Sequence, residues 1–498
     1  MNNFWFQRKS ITAVALSILT LTTIIDITIV SVGLPHIMGT IGANTSQASW
    51  IISGYVISAA ICMPLSGMIA KLIGRKRAIL ICCAIFAVTS ILCGQSTSLN
   101  EIVLFRILQG IGGAFIPSLT MGYIIGGFNN EERPRVLTLY TMMVVAGPIL
   151  GPIMGGFITQ HMGWGWIFYV NVPICLICFI ILMRNMEESK IESLKVDFIS
   201  FFLLCISIGL IEYFVNAGNL NDWFSSKAVT LSLIFGILFM IFFIWRAVLG
   251  KSIIDFRIFK YKNYVISCFI LTIYMCIAYS ILAYFPLFLE NSFKYPVETT
   301  GFVVAPRGIA AIIITPFLSK LCKKIDAKIL VILGMMCFCL ASYIMAGISP
   351  QADFIYLLPP IMLQGAAFAF FFMPLMMLAY YKFPKELSNT AGGVFSFFQM
   401  IGGSFGIAVG AIILSHMEQV HWNSLVRHIS PYNSSFSYWT DRIGQNITEN
   451  SKIHLAFLEI SKLSIFNSYL NLFYFSVVAC IMIAVVVLFL NKIKKVTA

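Results

Sequence analysis

Charge is what this sequence has least of. Only 11% of its 498 residues are Asp, Glu, Lys or Arg, where soluble domains carry about 25%. With 59% hydrophobic residues, the chain cannot cover a water-facing globule. It also lacks the signatures of common catalysts: no Walker loop, no strand-borne Rossmann fingerprint, no His-Glu-x-x-His and no nucleophile elbow. An ion gradient is then the expected energy source, with no enzyme activity and no cofactor. Histidine is scarce at six. His416, His421, His428 and His454 share one loop without tight ligand spacing, so no metal site is expected. The thirteen cysteines are not scarce, but nearly all sit inside apolar runs, where Cys packs as a small hydrophobe. No disulfide is predicted.

What is present is apolar sequence in long pieces. A transmembrane helix needs about 20 mostly apolar residues. Fourteen such runs are legible, at 11–35, 48–70, 78–97, 101–125, 136–160, 166–184, 197–217, 227–249, 264–290, 297–319, 329–349, 354–381, 389–415 and 466–491. The first is too long for a signal-peptide core and has no cleavage site after it, so it reads as a retained span. The fold class is an all-α polytopic membrane protein. Residues 416–465 form a polar loop between the last two spans, with short amphipathic helices expected at 416–429 and 446–463.

The net charge of +13 finds its reason in topology. Of the 33 Lys and Arg, 25 fall in loops on the side of the N-terminus and six on the other, leaving Arg106 and Arg307 within spans. By the positive-inside rule both termini face the cytoplasm, and a nucleic-acid partner is not expected.

The chain also repeats itself. Leu108-Gln109-Gly110 returns 255 residues later as Leu363-Gln364-Gly365, and Gly147, Gly151 and Gly155 return as Gly402, Gly406 and Gly410. This pairs spans 1–6 with spans 9–14 and leaves spans 7 and 8 as an inserted hairpin. The predicted domains are 1–184, a linker and hairpin at 185–263, and 264–498. Two six-helix halves are the architecture of the major facilitator superfamily, with a substrate site near mid-membrane between them.

Glycines and prolines mark the moving parts. "AGPILGPIMGG" puts Gly147, Gly151 and Gly155 on one helix face, where small residues let backbones approach; Gly156 completes the run. Pro148 and Pro152 remove two backbone donors and bend the same helix. In "GMIAKLIGRKR", Gly67 allows a close helix contact and Gly74 a positive-φ turn, with Arg75 among the cations that can meet neighbouring acids. Gln109 and Gly110 belong to the repeated fourth-span motif.

Four charges stand inside spans: Asp26, Arg106, Glu212 and Arg307. Each costs about 2.5–3.5 kcal/mol to insert near mid-helix, so each is a functional candidate. Asp26 is the candidate proton carrier, set where water reaches it from alternating sides; a standing structural contact with Arg106 is the other reading. Arg106 has Ile361 as its repeat mate, so its charge is peculiar to the first half. Glu212, in the hairpin, is either a second proton site or a side chain snorkelling to the interface. Tyr55, Tyr140, Met142, Phe285, Arg307, Gln364 and Gln399 are candidates for the wall of a substrate cavity.

Together these stretches resemble one group within that superfamily, the fourteen-helix drug–proton antiporters, and within it the EmrB-like branch. "DITIVSVGLP" resembles their first-helix signature, "GMIAKLIGRKR" their loop motif, "RILQGIGGA" their fourth-helix motif, "AGPILGPIMGG" their antiporter motif and "GWGWIFYVNVP" the start of their sixth helix. "DWFSS", "FFMPL" and the long loop before the last helix agree with the EmrB branch. Lys71, Leu72 and Ser31 depart from the usual Asp, Arg and Asn. The resemblance implies a proton-driven inner-membrane exporter of hydrophobic or amphipathic compounds. Asp26 would be its coupling carboxylate, Arg106 its fourth-helix arginine, and a periplasmic adaptor and outer-membrane channel its partners. A proton-coupled importer of the same fold is the alternative.

Overall fold

The computed structural model describes residues 7–490 apart from 44, 130, 190, 192–196, 219–222, 250–254, 382, 428 and 430–448. In lipid every backbone donor and acceptor must be satisfied within the chain, so long apolar runs fold as helices. Those of the first half are α1 (Arg8–Ile41), α2 (Thr45–Cys62, continued by Met63–Leu65 and Ser66–Ile73), α3 (Arg75–Gln95), α4 (Leu99–Gly127), α5 (Arg133–Met162) and α6 (Trp166–Tyr169 with Asn171–Asn185). The hairpin is α7 (Phe198–Gly218) and α8 (Lys227–Val248). The second half is α9 (Lys262–Phe293), α10 (Val297–Lys324), α11 (Ala327–Ala346), α12 (Phe354–Ala379), α13 (Ser388–Val426) and α14 (Glu449–Val487). Thirteen of these are long and apolar enough to span alone. The fourteenth, α5, does so as two segments, Arg133–Pro148 and Leu150–Met162, that meet at 42°. The predicted Gly-Pro bend is therefore present. No strand occurs among the described residues.

The outer loop differs from expectation. Of the predicted amphipathic stretches, 416–426 and 449–463 are not separate helices but parts of α13 and α14, each 39 residues long. Trp422 stacks on Phe457 with ring centroids 5.9 Å apart, and the His421 ring lies 2.6 Å from the Asn471 amide. Aromatic packing of this kind holds the two helices together past the apolar run. The predicted break near "SPYNSS" and parts of the 185–196 linker lie outside the described residues.

The glycine repeat is repeated in space. On α5, Gly147 faces Ile24, Gly151 faces Thr28 and Gly155 faces Ile29 and Val32 of α1; on α13, Gly402 faces Thr272, Gly406 faces Cys276 and Gly410 faces Ser280 of α9. The partner sets are themselves 248 residues apart. Each half thus locks its first and fifth helices by the same close approach. Gly156 is different: no atom lies within 4 Å of where its Cβ would be, so it does not share in this packing.

Two seams join the halves. α5 lies along α10, and α13 lies along α2 and α4. On the basic face the second seam is closed by glycines. A Cβ on Gly67 would sit 2.7 Å from Thr390 Cα, and one on Gly392 2.6 Å from the Ser118 carbonyl oxygen. The inserted α7 packs on both α2 and α13, across this seam, with Tyr213 stacked on Trp50 at 5.8 Å. At the basic end of the hairpin, Arg246 Nη2 donates to both oxygens of Asp197, at 2.9 and 2.7 Å. Those bonds, with a further one from Ser200, pull the Asp197 carboxyl down to about 2. A carboxyl depressed in the fold stabilises above its unfolded value, about 3.9, and stops doing so as pH falls towards 2. The melting-temperature gap between wild type and Asp197→Asn should therefore narrow as pH drops below about 4, as read by thermal unfolding.

Candidate functional site

The first half encloses a charged cluster without a trace of solvent. Asp26 (α1), Arg106 and Gln109 (α4) are each 0% exposed, and Asn171 (α6) is 1% exposed. Arg106 Nη1 donates to Asp26 Oδ2 at 2.5 Å and to Gln109 Oε1 at 2.7 Å. The Asp26 Oδ1 atom accepts from Gln109 Nε2 at 2.9 Å and from Asn171 Nδ2 at 2.7 Å. Gln109 also donates to Ser90 of α3 at 2.8 Å, and Arg106 Nε donates to the Ile51 carbonyl of α2 at 3.0 Å. The Tyr55 ring lies 4.5 Å from the guanidinium carbon and the Phe168 ring 5.8 Å. Five helices thus converge on one carboxylate. Desolvating two charges is costly, and such a pair persists when geometry and further hydrogen bonds are this complete.

This placement corrects part of the sequence reading. Asp26 does not sit where water reaches it in this conformation; it is sealed behind Arg106. Tyr55 is not a wall of the central cavity but a platform under the arginine. Asn171 escaped the reading although it stands in the quoted "VNVP". The signal available was a polar amide in an apolar run, five residues after Gly165-Trp166.

The loop motif finds a different acid. Gly74 has φ +88°, as predicted, and begins α3 without a side chain of its own to cap it. Glu188, from the linker after α6, accepts from the backbone N–H of Lys76 at 2.9 Å and of Arg77 at 3.2 Å, while Ser189 Oγ accepts from that of Arg75 at 2.8 Å. Orphan helix donors are satisfied and the acid lies at the positive end of the helix. The Arg75 guanidinium lies over Tyr123 at 5.9 Å. Glu188→Ala should cost about 1 kcal/mol, the usual worth of a helix cap, read as a lower melting temperature.

A cavity of about 50 Å³ lies between the halves. Its apolar wall includes Val145 and Pro148 of α5, Met275 and Leu282 of α9, and Phe368 of α12; Arg307, Tyr279 and Gln399 give it polar atoms. Drug-sized sites run to about 300–1,000 Å³, so in this conformation the walls have come together. Of the residues proposed for a substrate wall, Arg307 and Gln399 line this cavity. Tyr140, Met142, Phe285 and Gln364 are not among the lining residues. Phe285 instead packs against Phe288 and Phe473, at 6.2 and 6.3 Å, so its ring belongs to the second half's core. Gln364 is 3% exposed, beside Gly365, which does line the cavity. Gly110 and Gly365 are required by close approach: a Cβ on either would collide with a backbone, Tyr55 in the first case and Arg307 in the second. Glu212 does not snorkel. It is 1% exposed and accepts from Ser404 Oγ of α13 at 2.6 Å, which ties the hairpin to the second half.

A bundle of fourteen spans, in two related halves with a polar-edged cavity between them, defines a multi-pass membrane transporter. The chain belongs to the Major Facilitator Superfamily, whose family model matches residues 16–407. It is 31% identical over 445 residues to the multidrug export protein EmrB of Haemophilus influenzae, covering 88% of this chain and 87% of that one. It is also 31% identical over 428 residues to EmrB of Escherichia coli K12, covering 85% and 83%. Among solved structures, the proton:xylose symporter XylE superposes with a TM-score of 0.62 at 14% identity, covering 98% of this chain and 97% of that one. At that identity the likeness speaks for the fold alone.

Proposed function

We propose that this chain is a proton-driven exporter of hydrophobic and amphipathic compounds in a bacterial inner membrane, with both termini cytoplasmic. It would work with a periplasmic adaptor, which the extended outer ends of α13 and α14 would meet, and an outer-membrane channel. The observation that carries the reading is the Asp26 cluster. Among the described residues, every hydrogen-bond partner of the carboxylate is a donor. A proton on either oxygen would face a donor, so proton uptake and opening of the cluster become one event. Because the cluster holds α1 to α4 and α6, and α1 is locked to α5, opening it frees the helix that carries the bend at Pro148. Gly151 and Pro152 extend that flexible stretch, and the family resemblance assigns it a part in setting export direction. Glu212 is a second protonatable group, on the hairpin that bridges the seam. The relatives named multidrug export proteins support small-molecule substrates.

The test is flux from proteoliposomes under an imposed pH gradient, for wild type and Asp26→Asn, with a hydrophobic fluorescent dye. Asp26→Asn should lose proton-driven flux by about 100-fold, while exchange without a gradient persists. Two groups in contact commonly couple by up to about 3 kcal/mol, which is this size. Equal proton-driven flux in the two proteins removes Asp26 as the coupling group. Gradient-driven accumulation of the dye with protons would mark an importer instead.

A further inference from the structure

Repeat symmetry places a second polar cluster opposite the first, with one component missing. The offset of 248 that relates α1 to α9 puts Tyr274 where the first half has Asp26. The offset of 255 that relates α4 to α12 puts Ile361 where it has Arg106, and Gln364 where it has Gln109. The backbone contacts of Gly110 with Tyr55, and of Gly365 with Arg307, put Arg307 where the first half has Tyr55. The second half therefore keeps a tyrosine, an arginine and a glutamine, with the tyrosine and the cation on exchanged helices. None of these matched positions holds a carboxylate. Among the described residues Arg307 forms no ion pair or hydrogen bond, and the hydroxyl of Tyr274 and Nε2 of Gln364 have no partner. Tyr274 is 0% and Gln364 3% exposed. Buried polar groups are satisfied in the great majority of cases, so two unpaired ones beside a half-buried guanidinium need an explanation.

Unlike its counterpart, this cluster borders the central cavity. Arg307 and Gly365 line it, as does Met275, the neighbour of Tyr274. The available chemistry is that of donors: a guanidinium, an amide N–H and a phenol. Their natural complement is a planar anion, which a guanidinium can hold by two parallel bonds. The apolar wall of Val145, Leu282 and Phe368 takes a hydrocarbon or ring system beyond it.

We infer that the Arg307 cluster is the headgroup subsite of the transporter, and that its preferred substrates are amphipathic carboxylates or other organic monoanions. The substrate supplies the counter-ion that Asp26 supplies in the first half. This deepens the exporter reading and rests on it for the word substrate, but the binding site stands or falls separately. Arg307 also becomes a discriminator: a cationic amphiphile would have to bring its charge beside an unneutralised guanidinium.

The experiment is equilibrium dialysis of the full-length, detergent-solubilised protein at pH 7.5 with three probes of one ring system: 2-naphthoate, 2-naphthylmethanol and 2-naphthylmethylammonium. Wild type should bind the anion about 10- to 100-fold more tightly than the alcohol, the range expected of hydrogen bonds to a charged group, and the ammonium weakest. Arg307→Ala should lose that preference, with a melting temperature in detergent close to that of wild type showing the fold intact. Arg307→Lys should keep part of it. Tyr274→Asp, which installs the missing carboxylate, should abolish anion binding in a folded protein. The inference is overturned if wild type shows no preference for the anion, or if Arg307→Ala or Tyr274→Asp keeps it. Absence of proton-driven flux for every compound, with the anion preference intact, would overturn the exporter reading and leave the subsite standing.

Discussion

Arg106→Ala should be among the most damaging single substitutions in this chain, lowering stability by about 3–5 kcal/mol. It removes the only cation bonded to Asp26 among the described residues and leaves a carboxylate enclosed at 0% exposure. It also withdraws the guanidinium from the Ile51 carbonyl, the Gln109 amide and the Tyr55 ring. Most of that loss is the cost of an uncompensated buried charge rather than the value of the pair. Replacing both partners together, as Asp26→Leu with Arg106→Met, should therefore recover most of the stability. The double variant should nevertheless fail to couple protons. Thermal unfolding in detergent across this two-residue cycle, beside flux in proteoliposomes, separates the structural role from the proposed coupling role. A double variant no more stable than Arg106→Ala would show that the cluster is held by something other than charge neutralisation.

The second large effect is steric. Gly406→Leu should cost about 3 kcal/mol, at the upper end of ordinary overpacking, and lower the yield of folded protein. Its side chain would run into the backbone of Cys276, and backbone cannot swing aside. Gly151→Leu should act in the same way, driving α5 off Thr28. Gly156→Leu is the control: it lies in the same sequence motif but faces open space, and should melt within a degree or two of wild type. Melting temperatures of the three proteins read the difference. Equal damage at Gly156 would mean that close approach of a neighbouring helix is not what keeps these glycines in place, since leucine is the better helix former.

Most of the architecture was legible because the membrane reduces folding to one pattern, an apolar run of sufficient length. Spans, the inserted hairpin and the repeat all follow from that pattern and from glycine spacing, which transmits directly to helix contacts. The position of Asp26 on its helix was equally plain. What surrounds it was not, because side-chain partners 80 or more residues apart leave no periodic trace. Arg106 was legible as a charge in an apolar run, whereas Asn171 looked like an ordinary residue at a helix start. Tyr55 misled for the converse reason: an aromatic on an inward face fits a cavity wall and a cation platform equally well. The outer loop was misjudged because polar composition signals the end of lipid, and not the end of a helix.

That last feature has a mechanical side. At about 1.5 Å per residue, a 39-residue helix measures about 58 Å, against a hydrocarbon layer of about 30 Å. Roughly half of α13 and of α14 therefore projects as a braced mast, and α13 is the same rod that carries Gly402, Gly406 and Gly410. Any tilt of its half is magnified at the tip: a rotation of about 15°, a size known for rigid-body transitions, swings a point about 40 Å from the pivot through about 10 Å. Whatever rests on that mast would feel each turnover as a displacement, without touching cargo or proton.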